Sequence, residues 1–211
     1  MRTLSELEDS LAADLAWRRA EMQHLLAQVR SSSSVGKTAL CRAGVAMLYA
    51  HWEGYTRHAL SAYLRFVARR KLKLSELQDC FAAMALEAEI AKTERLSSIA
   101  RDVRRVAIMR SSHDQRLWLP SKSGVDTQAN LNSDVTVDLL IYVGLDPTPL
   151  DTKAHFIDYS LLRARNRIAH GEWESPSPED YPDLHNEVLL LMSLIRNLVI
   201  DAAENTRYRK A

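Results

Sequence analysis

Arg165, Asn166 and His170 stand together in RNRIAHGE, residues 165–172. An arginine offers phosphate oxygens a planar fork of donors, and an imidazole titrates near neutral pH, so it can move a proton. Asn166 precedes His170 by four residues, which places both on one helix face and lets the amide orient the imidazole or a substrate. The group therefore reads as a compact site that grips a phosphate and transfers a proton. The same residues also read as an ordinary helix end, because a C-terminus welcomes cations and takes Gly, here Gly171, at the stop position. These residues alone leave both readings open. Arg165 and His170 are separated by about 140° on an ideal helix, so they meet on one phosphate only if the Arg side chain wraps round or if two chains contribute. Arg163, seven residues before His170, shares its face and is the reserve candidate.

Other chemistries fit less well. GKT at 36–38 resembles part of a phosphate-binding loop, but Ser31 stands where that motif needs Gly and no strand precedes it. A metal site needs three or four ligands at supportive spacing. His51, Glu53 and His58 are the nearest cluster, and His113 with Asp114 is a bare pair, so neither a metal nor another cofactor is expected. Cys41 and Cys80 form no spaced motif, which argues against zinc and against a disulfide framework.

The elements that must carry RNRIAHGE are helices. Thr3 and Glu6 have capping-box spacing, and Leu4, Leu7, Leu11, Leu15, Met22, Leu25 and Val29 keep one face apolar to about residue 30. SSSS at 31–34 breaks that pattern, with Ser34 as the expected cap of the next helix. There Cys41, Val45, Leu48, Trp52, Tyr55, Ala59, Ala62 and Phe66 alternate spacings of four and three, a seam packed along its whole length. Gly44 and Gly54 beside it cost helix propensity, which implies close approach by another helix. A third helix is expected from Ser75, and polar, basic sequence follows it. Residues 111–130 hold Pro120, Gly124 and no helical period, an irregular loop long enough to suggest function or short hidden strands. Helices resume at Asn132 or Ser133 up to Gly144, at Phe156 to His170, and from Ser177 with Pro178 at the first position. The seam of the last helix is Leu184, Val188, Leu191, Ile195, Leu198 and Ala202. The expectation is one all-α domain over residues 1–211, with long antiparallel helices.

Charge is balanced overall, 28 Lys and Arg against 27 Asp and Glu, so net charge selects no partner. Locally it segregates: 65–73 holds five basic residues and no acid, 92–116 seven against three, and 172–187 six acids without Lys or Arg. Such segregation either focuses a field or merely solvates helix faces. Glu6, Glu8 and Asp9 stand where a signal peptide would be apolar, and the run 188–195 is too short for a bilayer, so a cytoplasmic chain without membrane contact is expected.

RNRIAHGE matches the R-x4-6-H motif, with a polar residue after the Arg, of the HEPN superfamily of helical ribonucleases. MLYAHWEGYTRH at 47–58, KLSELQDCFAAMAL at 73–86, NLNSDV at 130–135 and VGLDP at 143–147 then resemble, in order, the MAE-type HEPN-like branch related to the RiboL-PSP group. The resemblance is strongest over 37–172. It implies a HEPN-type bundle and a metal-independent endoribonuclease in a toxin–antitoxin or defence setting, restrained by an antitoxin or other regulatory protein. It also implies a two-fold homodimer with both R-x4-H motifs lining one cleft. RNA carries its own nucleophile, the 2′-OH, so the enzyme needs a base, an acid and cations for the charge on phosphorus. Arg165, Asn166 and His170 take those roles. Arg163 fits the looser R-x6-H spacing, although Ala164 follows it where the family pattern has a polar residue. His51 and Glu53 are either structural or a support for the R-x4-H helix, and Arg69, Arg70 and Lys71 either guide an RNA backbone or solvate a helix end. Another outcome is a non-catalytic HEPN module that binds RNA, a nucleotide or a protein.

Overall fold

The computed structural model describes residues 1–91, 93, 97–111, 114–117, 125–173 and 177–210. His113 and much of the expected 111–130 loop lie outside the described residues, as do Lys92 of the basic stretch and Glu174 of the acidic one. Among the described residues the architecture is all-α: α1 (Leu4–Ser31), α2 (Ser34–Ala68), α3 (Asp79–Ala91), α4 (Ser98–Ser111), α5 (Ser133–Tyr142), a π-helical stretch (Phe156–Arg163) running directly into α6 (Ala164–Ala169), and α7 (Tyr181–Glu204). Strand-like pairing among these residues is limited to isolated bridges, Lys73 with Arg116 and Leu77 with Arg209.

α2 is the axis of the fold. It runs antiparallel to α1, as the contacts Arg70–Arg2, His58–Ser10 and His51–Glu21 require. It runs parallel to α7, since Gly44 meets Tyr181 and Phe66 meets Tyr208. Every residue of the expected α2 seam is buried. Both glycines are approached as anticipated: an added Cβ would lie 2.5 Å from the Tyr181 ring at Gly44 and 2.7 Å from the Arg18 guanidinium at Gly54. These partners belong to the same chain. The α2 seam is thus covered within one chain, and so is the α7 seam at Val188, Leu191, Ile195 and Ala202, while Leu184 and Leu198 are half-buried.

Local chemistry moved several boundaries. Ser33, not Ser34, is the N-cap of α2, and its side chain makes no capping bond. Leu26 rather than Leu25 is the fully buried partner on α1. The expected start at Ser75 is a single 3-10 turn, Leu74–Glu76, in which Glu76 turns back to accept from the Lys73 amide at 2.8 Å; α3 begins only at Asp79. The basic stretch after it forms α4, whose Ile99, Val103, Val106 and Met109 face solvent. Ser177 accepts from the Asp180 amide at 3.1 Å, but 178–180 is a turn and α7 proper starts at Tyr181. Thr3 caps α1 as expected, accepting from the Glu6 amide. Asn132 does the same for α5 with Val135.

Candidate functional site

α6 is a short helix held on three sides. The π stretch leads into it, its Arg165 face packs on α2, and the chain segment 125–131 lies alongside. That segment is fastened to α2 at three levels. Ser61 Oγ accepts from the Val125 amide at 3.0 Å, Thr127 Oγ1 donates to Glu53 Oε1 at 2.6 Å, and Tyr49 Oη accepts from the Leu131 amide at 2.6 Å. Tyr49 and Glu53 are one turn apart on α2, so a single helix face makes two of these bonds. Burial pushes the Tyr49 phenol up, against the opposing pull of the Leu131 amide, so the ring is neutral at physiological pH.

Arg165 is the point where these elements meet. Its guanidinium lies 3.9 Å from the centre of the Tyr49 ring and donates through Nη2 to the carbonyl of Ala129 at 3.1 Å. A cation over an aromatic face gains about 0.5–2 kcal/mol, more as the pair is desolvated. The accepting carbonyl sits in a strained turn: Gln128 and Ala129 have φ of +55° and +52°, and Asp126 Oδ1 accepts from the Gln128 amide at 2.8 Å. A left-handed residue other than Gly costs about 1–2 kcal/mol. Such strain persists only where surrounding contacts over-determine it, and the bonds to Tyr49, Glu53 and Arg165 are those contacts.

The helix end at His170 is a capped stop. His170 is the C-cap, Gly171 has φ +77°, and the amides of Gly171 and Glu172 donate to the carbonyls of Ile168 (3.1 Å) and Arg167 (2.9 Å). This is a Schellman stop. An added Cβ at Gly171 would meet nothing within 4 Å, so the glycine is required by its backbone angle and not by crowding. Capping therefore explains Gly171, but it uses backbone groups only. The imidazole of His170 is exposed, and Asn166 one turn earlier is half-buried. Arg167 Nε is paired with Glu172 Oε2 at 2.8 Å, which pins the turn from outside. Arg42 of α2 donates to the Glu172 carbonyl at 3.0 Å, and its guanidinium lies 5.7 Å from the centre of the Trp173 ring.

Other expected residues sit elsewhere. His51 is two residues from Tyr49 and therefore on the opposite side of α2, where it packs on α1. Its Nε2 is 3.0 Å from the Glu21 carboxylate, its Nδ1 is 3.5 Å from Arg18 Nη1, and Trp17 meets its ring edge-on. Burial holds its pKa below the usual histidine value, although Glu21 pulls the other way. His51 is thus a structural contact between α1 and α2 and does not support the R-x4-H helix. Glu53 does reach the site, through Thr127. Arg69, Arg70 and Lys71 lie at the far end of α2, twenty residues or about 30 Å from Tyr49, so they are not adjacent to Arg165. Arg70 is committed to structure: its guanidinium covers the Phe66 ring at 4.0 Å and donates to the Arg2 carbonyl at 2.8 Å. Arg69 and Lys71 are exposed. Arg163 is exposed on the outward face of the 156–169 helix, whereas Arg165 points inward.

A family model described as HEPN_MAE_28990/-like HEPN matches residues 7–208. The chain belongs to this HEPN family. The match extends beyond 37–172 to take in α1 and α7, the two helices packed along α2, so the family likeness spans the whole described bundle. Comparison with curated proteins and comparison with solved structures each returned no match. Within this HEPN chain, sequence reasoning singled out Arg165, Asn166 and His170 but missed Tyr49, Thr127 and the Ala129 carbonyl. Tyr49 was legible as the residue one turn before Glu53; the carbonyl of a turn leaves no trace in residue type. No helix among the described residues is long and apolar enough to cross a membrane.

Proposed function

We propose that this HEPN chain is a metal-independent endoribonuclease that acts in the cytoplasm, as a toxin or defence effector restrained by a partner protein. The observation that carries the reading is the division of labour in RNRIAHGE: the helix stop consumes backbone groups only, and it leaves the His170 imidazole open to solvent five residues after an ordered arginine anchor. In the reaction the 2′-oxygen attacks the adjacent phosphorus as its proton is taken up. The bond from phosphorus to the 5′-oxygen breaks, and that oxygen receives a proton. The products are a 2′,3′-cyclic phosphate and a 5′-OH. His170 serves one proton step, and Asn166 orients it or the ribose. Arg165 lends positive charge to the phosphate while tying α6 to the 125–131 segment.

Within one chain Arg165 points toward α2 and His170 points outward, so a second copy would have to complete the cleft. A two-fold homodimer supplies two histidines, one for each proton. Light scattering at micromolar concentration should give twice the chain mass; a monomer that still cuts RNA would remove the two-histidine scheme. The chemistry is tested with purified protein on labelled RNA in EDTA, beside 2′-O-methyl and all-DNA strands. Cleavage of unmodified RNA alone is expected, and equal cutting of DNA or loss of activity on chelation would refute the mechanism. The engagement of Arg165 by Tyr49 and Ala129 favours one other reading, a HEPN module that binds without cutting.

A further inference from the structure

The outward face of the π stretch and α6 carries a row of exposed side chains that the proposed chemistry leaves unused. His155 and Tyr159 stack on each other with ring centres 4.9 Å apart and planes 24° from parallel. Tyr159 is 56% exposed, although a tyrosine of a folded chain usually covers most of its ring. Arg163 follows one turn later and is exposed, and His170 follows it seven residues on, two turns down the same face. The π stretch Phe156–Arg163 ends where α6 begins. π-helical turns of this kind recur at functional sites. Here Asp158 anchors the stretch, accepting from the amide and hydroxyl of Ser133 at 2.7 and 2.6 Å. The exposed stack is therefore carried by a fixed backbone.

We propose that the His155–Tyr159 stack and Arg163 form a binding track for single-stranded RNA, leading a strand along the helix to His170. The inference rests on the ribonuclease reading and deepens it. A base lies on the open face of Tyr159, Arg163 holds a phosphate further along, and the strand then arrives at the imidazole. The track matches the chemistry of single strands, in which unstacked bases meet aromatic faces while cations follow the backbone. Tyr159 to His170 spans about 16 Å along the axis, so the platform acts on nucleotides flanking the cleaved bond and not on the reacting phosphate. Tyr159 and His155 are binding residues, and the charge of Arg163 complements the strand it would carry.

The test uses the full chain carrying His170→Ala, which cannot cut, and measures fluorescence anisotropy with a labelled single-stranded RNA. Adding Tyr159→Ala should weaken binding roughly 5- to 150-fold, the range that alanine substitution of a stacking platform gives per base. Tyr159→Phe should restore it, because the ring and not the hydroxyl is used. The dependence of log K on log salt should be unchanged by Tyr159→Ala and shallower by about 0.7 in Arg163→Ala, one phosphate contact on a single strand. In the cleaving chain, Tyr159→Ala should raise KM with little change in kcat. If His170→Ala abolishes cutting while Tyr159→Ala binds RNA as tightly as its parent, the track is wrong and the ribonuclease reading stands. If no RNA is bound or cut by any form, that reading fails and the track with it. If Tyr159→Ala changes the mass in light scattering, the row is a contact between protein chains, which overturns the track.

Discussion

Replacing Tyr49 with Phe isolates the bond that holds the 125–131 segment. The phenol oxygen is the acceptor for the Leu131 amide at 2.6 Å, and Leu131 and Tyr49 are both buried. Phe keeps the ring, its packing and the surface under the Arg165 guanidinium, but it leaves a buried N–H without an acceptor. That loss costs about 1–3 kcal/mol. For a chain of this size each kcal/mol moves Tm by roughly 2–4 °C, so a cost near the middle of the range lowers Tm by about 4–8 °C. The urea midpoint should fall by roughly 0.5–1.5 M at unchanged slope. Because the strained turn at Gln128 and Ala129 depends on this fastening, the Leu131 amide should also exchange hydrogen faster than in the parent. Arg165→Ala is the companion variant: it removes both the cation over the Tyr49 ring, worth about 0.5–2 kcal/mol, and the bond to the Ala129 carbonyl, so it should lower Tm as well. A Tyr49→Phe chain within about 0.5 kcal/mol of the parent would refute the reasoning, since the phenol would then not be the clamp.

Gly44→Ala should destabilise, because its Cβ would lie 2.5 Å from the fully buried Tyr181 ring; overpacking costs about 1–3 kcal/mol, against a helix-propensity gain of roughly 1 kcal/mol. Gly36→Ala in the same helix meets nothing closer than 3.6 Å and should raise the urea midpoint; equal behaviour of the two variants would contradict the packing account. Burial depresses the pKa of His51 and of His185 below the usual histidine value, so the unfolded chain takes up protons first. Their contribution is fully present above about pH 6.5 and is lost as pH falls toward their depressed values. Urea midpoints at pH 7.5 and 5.5 should differ less in a His51→Gln, His185→Gln chain than in the parent. If Arg69 and Lys71 guide RNA, replacing both with Ala should make the salt dependence of binding shallower by up to about 1.4. An unchanged slope would leave them as the solvated end of α2.

Periodicity carried most of the fold. The α2 seam, from Cys41 to Phe66, was legible because every turn presents an apolar residue to the core, and both glycines beside it marked close approaches. What periodicity could not show was the partner. The seams of α2 and α7 pack against each other and against α1 within one chain. Arg18 hid for the same reason: it occupies a core position between Leu15 and Met22, its charge answered by Asp14 at 2.7 Å and its flat face laid on Trp17. α4 was legible in the spacing of Ile99, Val103, Val106 and Met109 and was missed among the basic residues around them; what the sequence could not show is that this apolar stripe faces solvent. At the candidate site, RNRIAHGE was legible as residue types. The inward turn of Arg165 was not, because it is set by a ring distant in the chain, Tyr49 on α2, and by a backbone carbonyl. The His155–Tyr159 pair has the i,i+4 spacing of neighbours on a helix, but its residues look like ordinary surface positions in the sequence, and only the structure shows the rings stacked and exposed.

The central claim is that His170 moves a proton during RNA cleavage. Single-turnover cleavage of a labelled RNA should be followed for the parent and for His170→Ala, with RNA binding and chain mass measured on the same samples. The account predicts a rate lower by about 10²–10⁴, with binding and mass retained. A His170→Ala chain that cuts at the parental rate would contradict it, and RNRIAHGE would then be a helix end and nothing more.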